Sequence, residues 1–461
     1  MLENEKKELF ESMPVRRAIY TMAIPTIISQ LINLIYNVVD TYFIGRTGNS
    51  YMIAAVSVVY TLYIMNVALS NLFGIGGGSL VARLSGRNEY EKAKSVSAYS
   101  VYGGIVIAIL YSLIIAAFCN PILKLLGASN EIMGFAKQYV YTVIVIGNIP
   151  TILSAVLAHL IRNSGYSKQA SIGLSAGGIL NIILDPLFMF VILPSGYEVL
   201  GAAIATLISN MVACIYLFFF YKKIEEKSSL STNIKDAKKI RKSEIKQLYS
   251  VGIPSAILTG LFDLANMFLN AKMAVYGEEA LAALGIVMKA ERLPNAINIG
   301  ICQGIMPIIA YNYSSNNKER MYEIQNKATK YGVIITLISL TLFEIFAEPI
   351  TGIFFNVNAE TAYGAKETLM FAATFLRIRC LSSPFQFFNY RSSFFMQAMG
   401  DGKDTLIHAV VRELVFYIPL MFILNSLFGI KGLLFSLVVG EGLGMIFAII
   451  LLNRWLKRSD K

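Results

Sequence analysis

Charge is scarce in this chain. Only 15% of its 461 residues are Asp, Glu, Lys or Arg, while 56% are hydrophobic; soluble globular domains carry about a quarter of their residues as charges. So little charge cannot cover a water-facing surface of this size, which excludes an ordinary soluble domain and leaves room for none beside the apolar segments. Cysteine is scarce too. Cys119, Cys214, Cys302 and Cys380 stand singly in apolar stretches, with no CxxC or Cys/His pairing, so neither a disulfide framework nor a thiolate metal site is expected. The two histidines, His159 and His408, lie near helix ends and read as structural residues rather than a proton relay. No His/Glu metal motif or nucleophile constellation is present, so no enzyme activity and no cofactor is expected. The charged start, Met1 to Arg17, leads into a long Pro-containing apolar segment and lacks the short core and small-residue cleavage site of a signal peptide. It is expected to be retained.

Long apolar runs are what remains. A membrane-crossing helix needs about 20 mostly apolar residues, and breaks at Gly, Pro and charge divide the chain into such runs. They fall near 18–45, 52–82, 95–119, 136–160, 168–193 and 199–221, and again near 249–276, 281–311, 331–355, 368–398, 406–427 and 431–452. The expected fold class is therefore an all-α membrane protein of about twelve spans.

Lys and Arg near span ends stay on the cytoplasmic side. Alternate loops are rich in them: Lys6, Lys7, Arg16 and Arg17; Arg83, Arg87, Lys92 and Lys94; Arg162 and Lys168; the run from Lys222 to Lys246; Lys318, Arg320, Lys327 and Lys330; and Arg454, Lys457, Arg458 and Lys461. The intervening loops carry Arg46, Lys124, Lys366 and Lys431. Both termini are thus expected in the cytoplasm, with the chain in an inner or plasma membrane. The net charge of +11 follows from this bias and from attraction to anionic headgroups, so no nucleic-acid partner is needed.

The one long hydrophilic stretch, 222–248, falls at mid-chain and reads as a cytoplasmic linker between a first half, 1–221, and a second, 249–461. The halves echo each other. Ile24, Pro25, Thr26 and Asn37 recur as Ile253, Pro254, Ser255 and Asn266; Gly76, Leu80, Ala82, Asn88 and Glu91 recur as Gly304, Ile308, Ala310, Asn316 and Glu319. An even number of spans per half gives both copies one orientation, a parallel repeat about an axis along the membrane normal, with the substrate site between the lobes.

The first span carries Thr26, Gln30, Asn33, Asn37 and Asp40, which share one helix face. The span near 168–193 repeats the device with Ser171, Ser175, Asn181 and Asp185, the last followed by Pro186, which should kink the helix beside the carboxylate. Tyr36 with Asp40 and Asn181 with Asp185 are i,i+4 pairs, giving each acid a hydrogen-bonding neighbour on its own helix. An Asp at a helix centre costs about 2.5–3.5 kcal/mol on insertion scales and so usually faces a cavity and carries function. Burial and mutual repulsion suit such a pair to loading and releasing a proton; the alternative is a pair of helix-to-helix clamps. The second half has its own stripe, Thr259, Asp263, Asn266 and Asn270, and the tenth span adds Gln386 and Asn389. Charges such as Arg412, Arg391, Glu344, Glu413 and Glu441 are expected to pair internally as structural groups.

Several ordered stretches resemble the multidrug and toxic compound extrusion (MATE) family, and within it the MepA-like branch. They are Ile24–Pro25 through Asp40 to Gly45, NLFGIGGGSLVARLSGRNEYEKA at 71–93, IRNSGYSKQA at 161–170, LNIILDPLFMF at 180–190, GICQGIMPIIAYNYSSNNKER at 300–320 and FFMQAMGDGKDT at 394–405. The resemblance implies two six-helix lobes around a central cavity. It implies export of varied amphipathic, often cationic, compounds in exchange for inward H⁺ or Na⁺, and a monomer. It also implies a cation site at Asp40 and Asp185 with Tyr36, Asn181 and Thr206 as polar neighbours, and a substrate cavity that includes Gln30, Asn33, Asn37, Asp263, Asn266, Asn270, Gln386 and Asn389. Of the second-lobe acids used by sodium-coupled members, only Asp263 lies near a matching position, and the tenth span offers Arg377 and Arg379 instead.

Rival readings remain at this point. A flippase for lipid-linked oligosaccharides should have a basic cavity to meet phosphates, against which the acidic first-half stripe argues. A narrow-substrate metabolite exporter of the same superfamily stays open. A major-facilitator transporter would also have parallel halves, but Arg83 to Arg87 lacks the Asp expected in that family's loop. A channel would conduct without saturation or coupling.

Overall fold

The computed structural model describes residues 2–354 and 365–459; Lys461 and the expected end of the ninth span at 355 lie outside them. The chain is helical almost throughout. In the first half, α1 (Leu2–Glu11), α2 (Val15–Arg46), α3 (Ser50–Gly86), α4 (Tyr90–Ala117), α5 (Cys119–Leu125), α6 (Asn130–Tyr139), α7 (Asn148–Asn163), α8 (Ser167–Leu187) and α9 (Glu198–Glu225) follow in order. A short α10 (Ile234–Lys238) precedes the second half: α11 (Lys242–Met273), α12 (Glu278–Ser314), α13 (Lys318–Ile345), α14 (Ala347–Phe354), α15 (Ala365–Cys380), α16 (Ser383–Met399), α17 (Gly402–Val410) and α18 (Ile418–Ser459).

Nine helical segments among the described residues are long and apolar enough to cross a membrane, or ten if one bent pair is a single span. That pair, Asn130–Ile146 with Asn148–Asn163, bends by 52° where a π-helical stretch, Val140–Ile146, ends at Gly147. Pro150 falls in the first turn of the helix that restarts there, where its missing N–H leaves no bond unmade. The expected tenth span is divided between α15 and α16. The last two expected spans lie in one 54-residue helical run, Gly402–Trp455, whose direction breaks at Gly429 (φ 59°, ψ −141°). Helices α8 and α17 also pass into π-helical stretches, Phe188–Ile192 and Val411–Tyr417. The predicted kink at Pro186 therefore takes this form: the helix continues through the proline, then widens two residues later, at Phe188.

The repeat seen in the sequence has a structural counterpart. Helices α2 and α11 are each 32 residues long, α3 and α12 each 37, and α4 and α13 each 28. Pro25 and Pro254 lie inside the first helix of each half. Asn88 and Asn316, ending the second, share φ 59° and are the described non-glycine residues with positive φ; Asn tolerates this left-handed turn better than most side chains. Large apolar side chains such as Leu113, Ile183, Phe219 and Ile338 are more than half exposed, as suits a surface that faces lipid.

The halves are joined at the end that carries Arg83, Arg87 and the mid-chain stretch. Here α3 packs along α11, and α2 along α12. Glycine makes the approach possible: a methyl group at Gly252 would collide with the Leu72 carbonyl, and one at Gly304 would sit 2.6 Å from Ala23 Cα. Ser79 Oγ donates to the Gln397 carbonyl at 2.6 Å, and Tyr311 Oη to Glu11 Oε1 at 2.7 Å. Helix α1 lies across the same seam, with Phe10 stacked on Tyr311 and its carbonyl accepting from Arg320 Nε at 2.9 Å.

The mid-chain stretch is held to the first half. Ser231 N–H donates to Ser97 Oγ at 2.9 Å, Tyr102 Oη to the Thr232 carbonyl at 2.9 Å, and Leu230 is buried. Flanking helices extend into it, α9 to Glu225 and α11 from Lys242.

Candidate functional site: a polar chamber between the halves

Above the seam the halves enclose two connected cavities. The larger, of about 410 Å³, is lined from the first half by Gln30, Asn33, Asn181 and Thr206, and from the second by Thr259, Gln303, Tyr390 and Gln397, among others. The smaller, of about 250 Å³, lies towards the other end and includes Asn37, Asp40, Tyr60 and Tyr139. Tyr36, Tyr63 and Thr206 line both, so the two spaces adjoin. Gln30 Nε2 donates to Gln303 Oε1 at 2.9 Å and Asn71 Nδ2 to Thr259 Oγ1 at 3.1 Å, tying the halves at the chamber floor.

Asp40 and Asp185 come from helices that pack face to face, α2 and α8. Gly178 eases this approach, since a methyl group there would sit 3.0 Å from Ile32 Cγ2 and 3.4 Å from Tyr36 Cδ1 of α2. Asp185 is fully buried, and its Oδ1 accepts from Asn181 Nδ2 at 3.1 Å, as the i,i+4 spacing predicts; the same amide reaches Thr206 Oγ1 at 3.4 Å. Asp185 Oδ2 and Asp40 Oδ1 are buried with no hydrogen-bond partner. The expected Tyr36 to Asp40 bond is not formed: Tyr36 Oη lies 3.1 Å from Tyr63 Oη instead. The reason is geometric, because a tyrosine at i reaches past its own helix towards α3, where a second phenol is waiting. Among the described residues neither Asp40 nor Asp185 has an ion-pair partner. A buried acid without a cation is stable chiefly as its protonated form or with a bound cation.

The second-half residues are placed differently. Asp263, Asn266 and Asn270 on α11, and Gln386 and Asn389 on α16, lie outside both lining sets. Asn389 is fully buried, donating to Glu441 Oε2 at 2.6 Å and facing His408 Nε2 at 3.1 Å. Arg412 pairs with Glu441 through two bonds, 3.0 and 2.5 Å long, and approaches Glu413 at 3.5 Å, which is the internal pairing expected of these charges. Arg391 takes no acid among the described residues: it stacks over Phe388 and meets Thr329. Arg379 pairs with Glu291 at 2.5 and 2.9 Å. Both residues are conspicuous charges in apolar runs, but only a fold brings positions so distant in sequence together. Sequence reasoning also missed Tyr63, Tyr139, Lys289 and Arg292 in the smaller cavity; the last two were visible as unexplained charges in the eighth span. All four cysteines are free, and among the described residues no three or more His, Cys, Asp or Glu side chains cluster as a metal site would require.

The sequence model of the MatE family matches this chain twice, over residues 25–187 and 254–423. The two matches start at Pro25 and Pro254, the residues from which the internal echo was read. The chain is 31% identical over 453 residues to a protein of Staphylococcus aureus (strain MRSA252) named "Multidrug export protein MepA", covering 98% of this chain and 96% of that one. The protein of that name from Staphylococcus saprophyticus is also 31% identical, over 452 residues. Among solved structures, "Crystal structure of MATE in complex with MaL6" superposes with a TM-score of 0.91 at 21% identity, covering 99% of both chains. "Outward-facing conformation of a multidrug resistance MATE family transporter of the MOP superfamily" superposes at 0.90, with 21% identity and the same coverage. At that identity the structural likeness speaks for the fold.

Proposed function

We propose that this chain, which belongs to the MATE family, is a secondary-active multidrug exporter that moves amphipathic, often cationic, compounds out of the cell in exchange for inward H⁺ or Na⁺. The observation that carries this reading is the pair Asp40 and Asp185, two acids without cations beside a chamber that both halves line. The relatives named as multidrug export proteins support the substrate class, and their roles are transport rather than catalysis. A large chamber with mixed apolar and amide walls suits varied ligands held by stacking and a few polar contacts.

In this reading the twelve spans form two six-helix halves, 1–221 and 249–461, and the basic end of the molecule with the linker 222–248 is cytoplasmic. The halves are then sealed on the cytoplasmic side, and the chamber faces out of the cell. Cation binding at Asp40 and Asp185 would alter how α2 packs on α8 and release the substrate, and reorientation would carry the cation inward. The energetics limit the stoichiometry. One charge moved through 100 mV is worth about 2.3 kcal/mol, so one monovalent drug cation exchanged for one proton gains nothing from the potential and is driven only by the pH gradient, about 1.4 kcal/mol per unit. Two acids permit a stronger drive. The second reading, a flippase or a narrow-substrate exporter, would require a chamber matched to one headgroup or metabolite.

The test is transport by the protein in liposomes holding a fluorescent cationic dye, with a pH gradient and a Na⁺ gradient imposed separately. Dye movement that follows one gradient supports coupled export and names the ion; no movement under either gradient would sink it.

A further inference from the structure

The smaller cavity has a wall of opposite sign to the acids. Lys289 and Arg292, three residues apart on α12 and so on one face, line it together with Asp40. Among the described residues no carboxylate lies within ion-pair distance of either. Asp263 is near enough to feel the charge on Arg292 without pairing with it. The guanidinium lies 5.7 Å from the centre of the Tyr60 ring, which holds it as a planar donor at the cavity wall. Elsewhere in this half Arg379 and Arg412 are paired with Glu291 and Glu441, and Arg391, which takes no acid among the described residues, stacks over Phe388 outside both cavities. A cation placed inside a membrane-spanning segment is expensive and is by default functional, and these two line a cavity without an ion-pair partner among the described residues.

We propose that Lys289 and Arg292 form an anion-binding subsite that admits zwitterionic amphipaths, aromatic compounds carrying a carboxylate or similar anionic group as well as a protonatable amine. The inference rests on the export reading given above and narrows its substrate class. The ligand's anionic group would sit between the ammonium and the guanidinium, which donates two parallel hydrogen bonds to a carboxylate. Its aromatic body would lie among Tyr60, Tyr63 and Tyr139, and its ammonium group would point towards Asp40. A zwitterion carries no net charge, so its exchange for one cation draws on the membrane potential, which exchange of a monocation does not.

The experiment compares two probes of one scaffold: a zwitterionic rhodamine with a free carboxylate, and its methyl ester, a monocation. Both are followed in proteoliposomes under the same gradient, and their affinities for the purified protein are read by fluorescence anisotropy. Wild type is expected to bind and move both. Lys289→Met combined with Arg292→Gln is expected to lower the acid-to-ester ratio of affinities tenfold or more, while Lys289→Arg preserves it. An unchanged ratio in the double variant overturns the proposal. So does a wild type that moves the ester but binds the acid more than tenfold more weakly, a result that needs no variant to fold and leaves the export reading standing. A wild type that neither binds nor moves either dye contradicts the export reading and the subsite together.

Discussion

The two halves share a backbone plan and treat their buried charges in opposite ways. Matched helices have the same lengths, a proline inside the first and a left-handed asparagine after the second. In the first half the acids Asp40 and Asp185 have no ion-pair partner among the described residues. In the second, Glu291 and Glu441 are each gripped by an arginine, and Glu441 is further held by Asn389. Backbone repetition therefore fixes where helices bend and approach, and leaves each half free to spend its buried charge on structure or on exchange. A carboxylate locked to arginine has its counterion built in and gains little from a proton or Na⁺; one without an arginine must find its counterion outside.

The largest expected effect breaks the structural side of that contrast. Arg412→Met leaves Glu441 buried without its partner and should destabilise the protein by roughly 3–5 kcal/mol, read as a lower unfolding temperature in detergent. Adding Glu441→Leu should restore most of the loss, because replacing both members of a buried pair by apolar groups is often neutral. An Arg412→Met protein as stable as wild type would contradict the pairing. Next comes the hydrogen bond that holds Asp185 within the first half. Asn181→Ala removes the Nδ2 donor and should cost about 1–3 kcal/mol in how the acid is held. The expected readout is weaker cation dependence of transport with unchanged expression.

The smallest effect concerns the linker, which belongs structurally to the first half. Lys239, 2.9 Å away, and Ser231 hold the Asp236 carboxyl below the usual carboxylate range. A carboxyl held low contributes stability that is present above its unfolded value, near 3.9, and is lost as pH falls through the folded one. Hydrogen exchange across 229–238, taken relative to the intrinsic rate at each pH, should therefore accelerate towards acid pH in wild type. In Asp236→Asn it should be faster at neutral pH, with its acid dependence reduced; identical profiles would place the linker's anchorage elsewhere.

The fold was legible in the sequence where physics acts locally. Apolar length, basic loops and the offset between Pro25 and Pro254 depend on single residues and their spacing, and the helices follow them. The polar stripe of the first span was legible for the same reason, and Gln30, Asn33, Asn37 and Asp40 do line the chamber. Where the outcome depends on which helices become neighbours, the sequence is silent. Tyr36 has Asp40 one turn away yet bonds Tyr63 of α3. Asn389 looks like a cavity residue from its stripe and instead serves the Arg412–Glu441 pair, its Glu441 partner lying 52 residues further along the chain. The bend at Gly147 had no proline to announce it ahead of the break, since π-helical widening leaves no clear signature in hydropathy.

The central claim is that Asp40 is the exchangeable acid of the first half, and gradient-driven dye efflux from proteoliposomes containing Asp40→Asn tests it most directly, with wild type alongside and folding checked by thermal stability. The account predicts a folded protein that still binds dye but whose efflux no longer responds to the H⁺ or Na⁺ gradient. Efflux at the wild-type rate under the same gradient would contradict it.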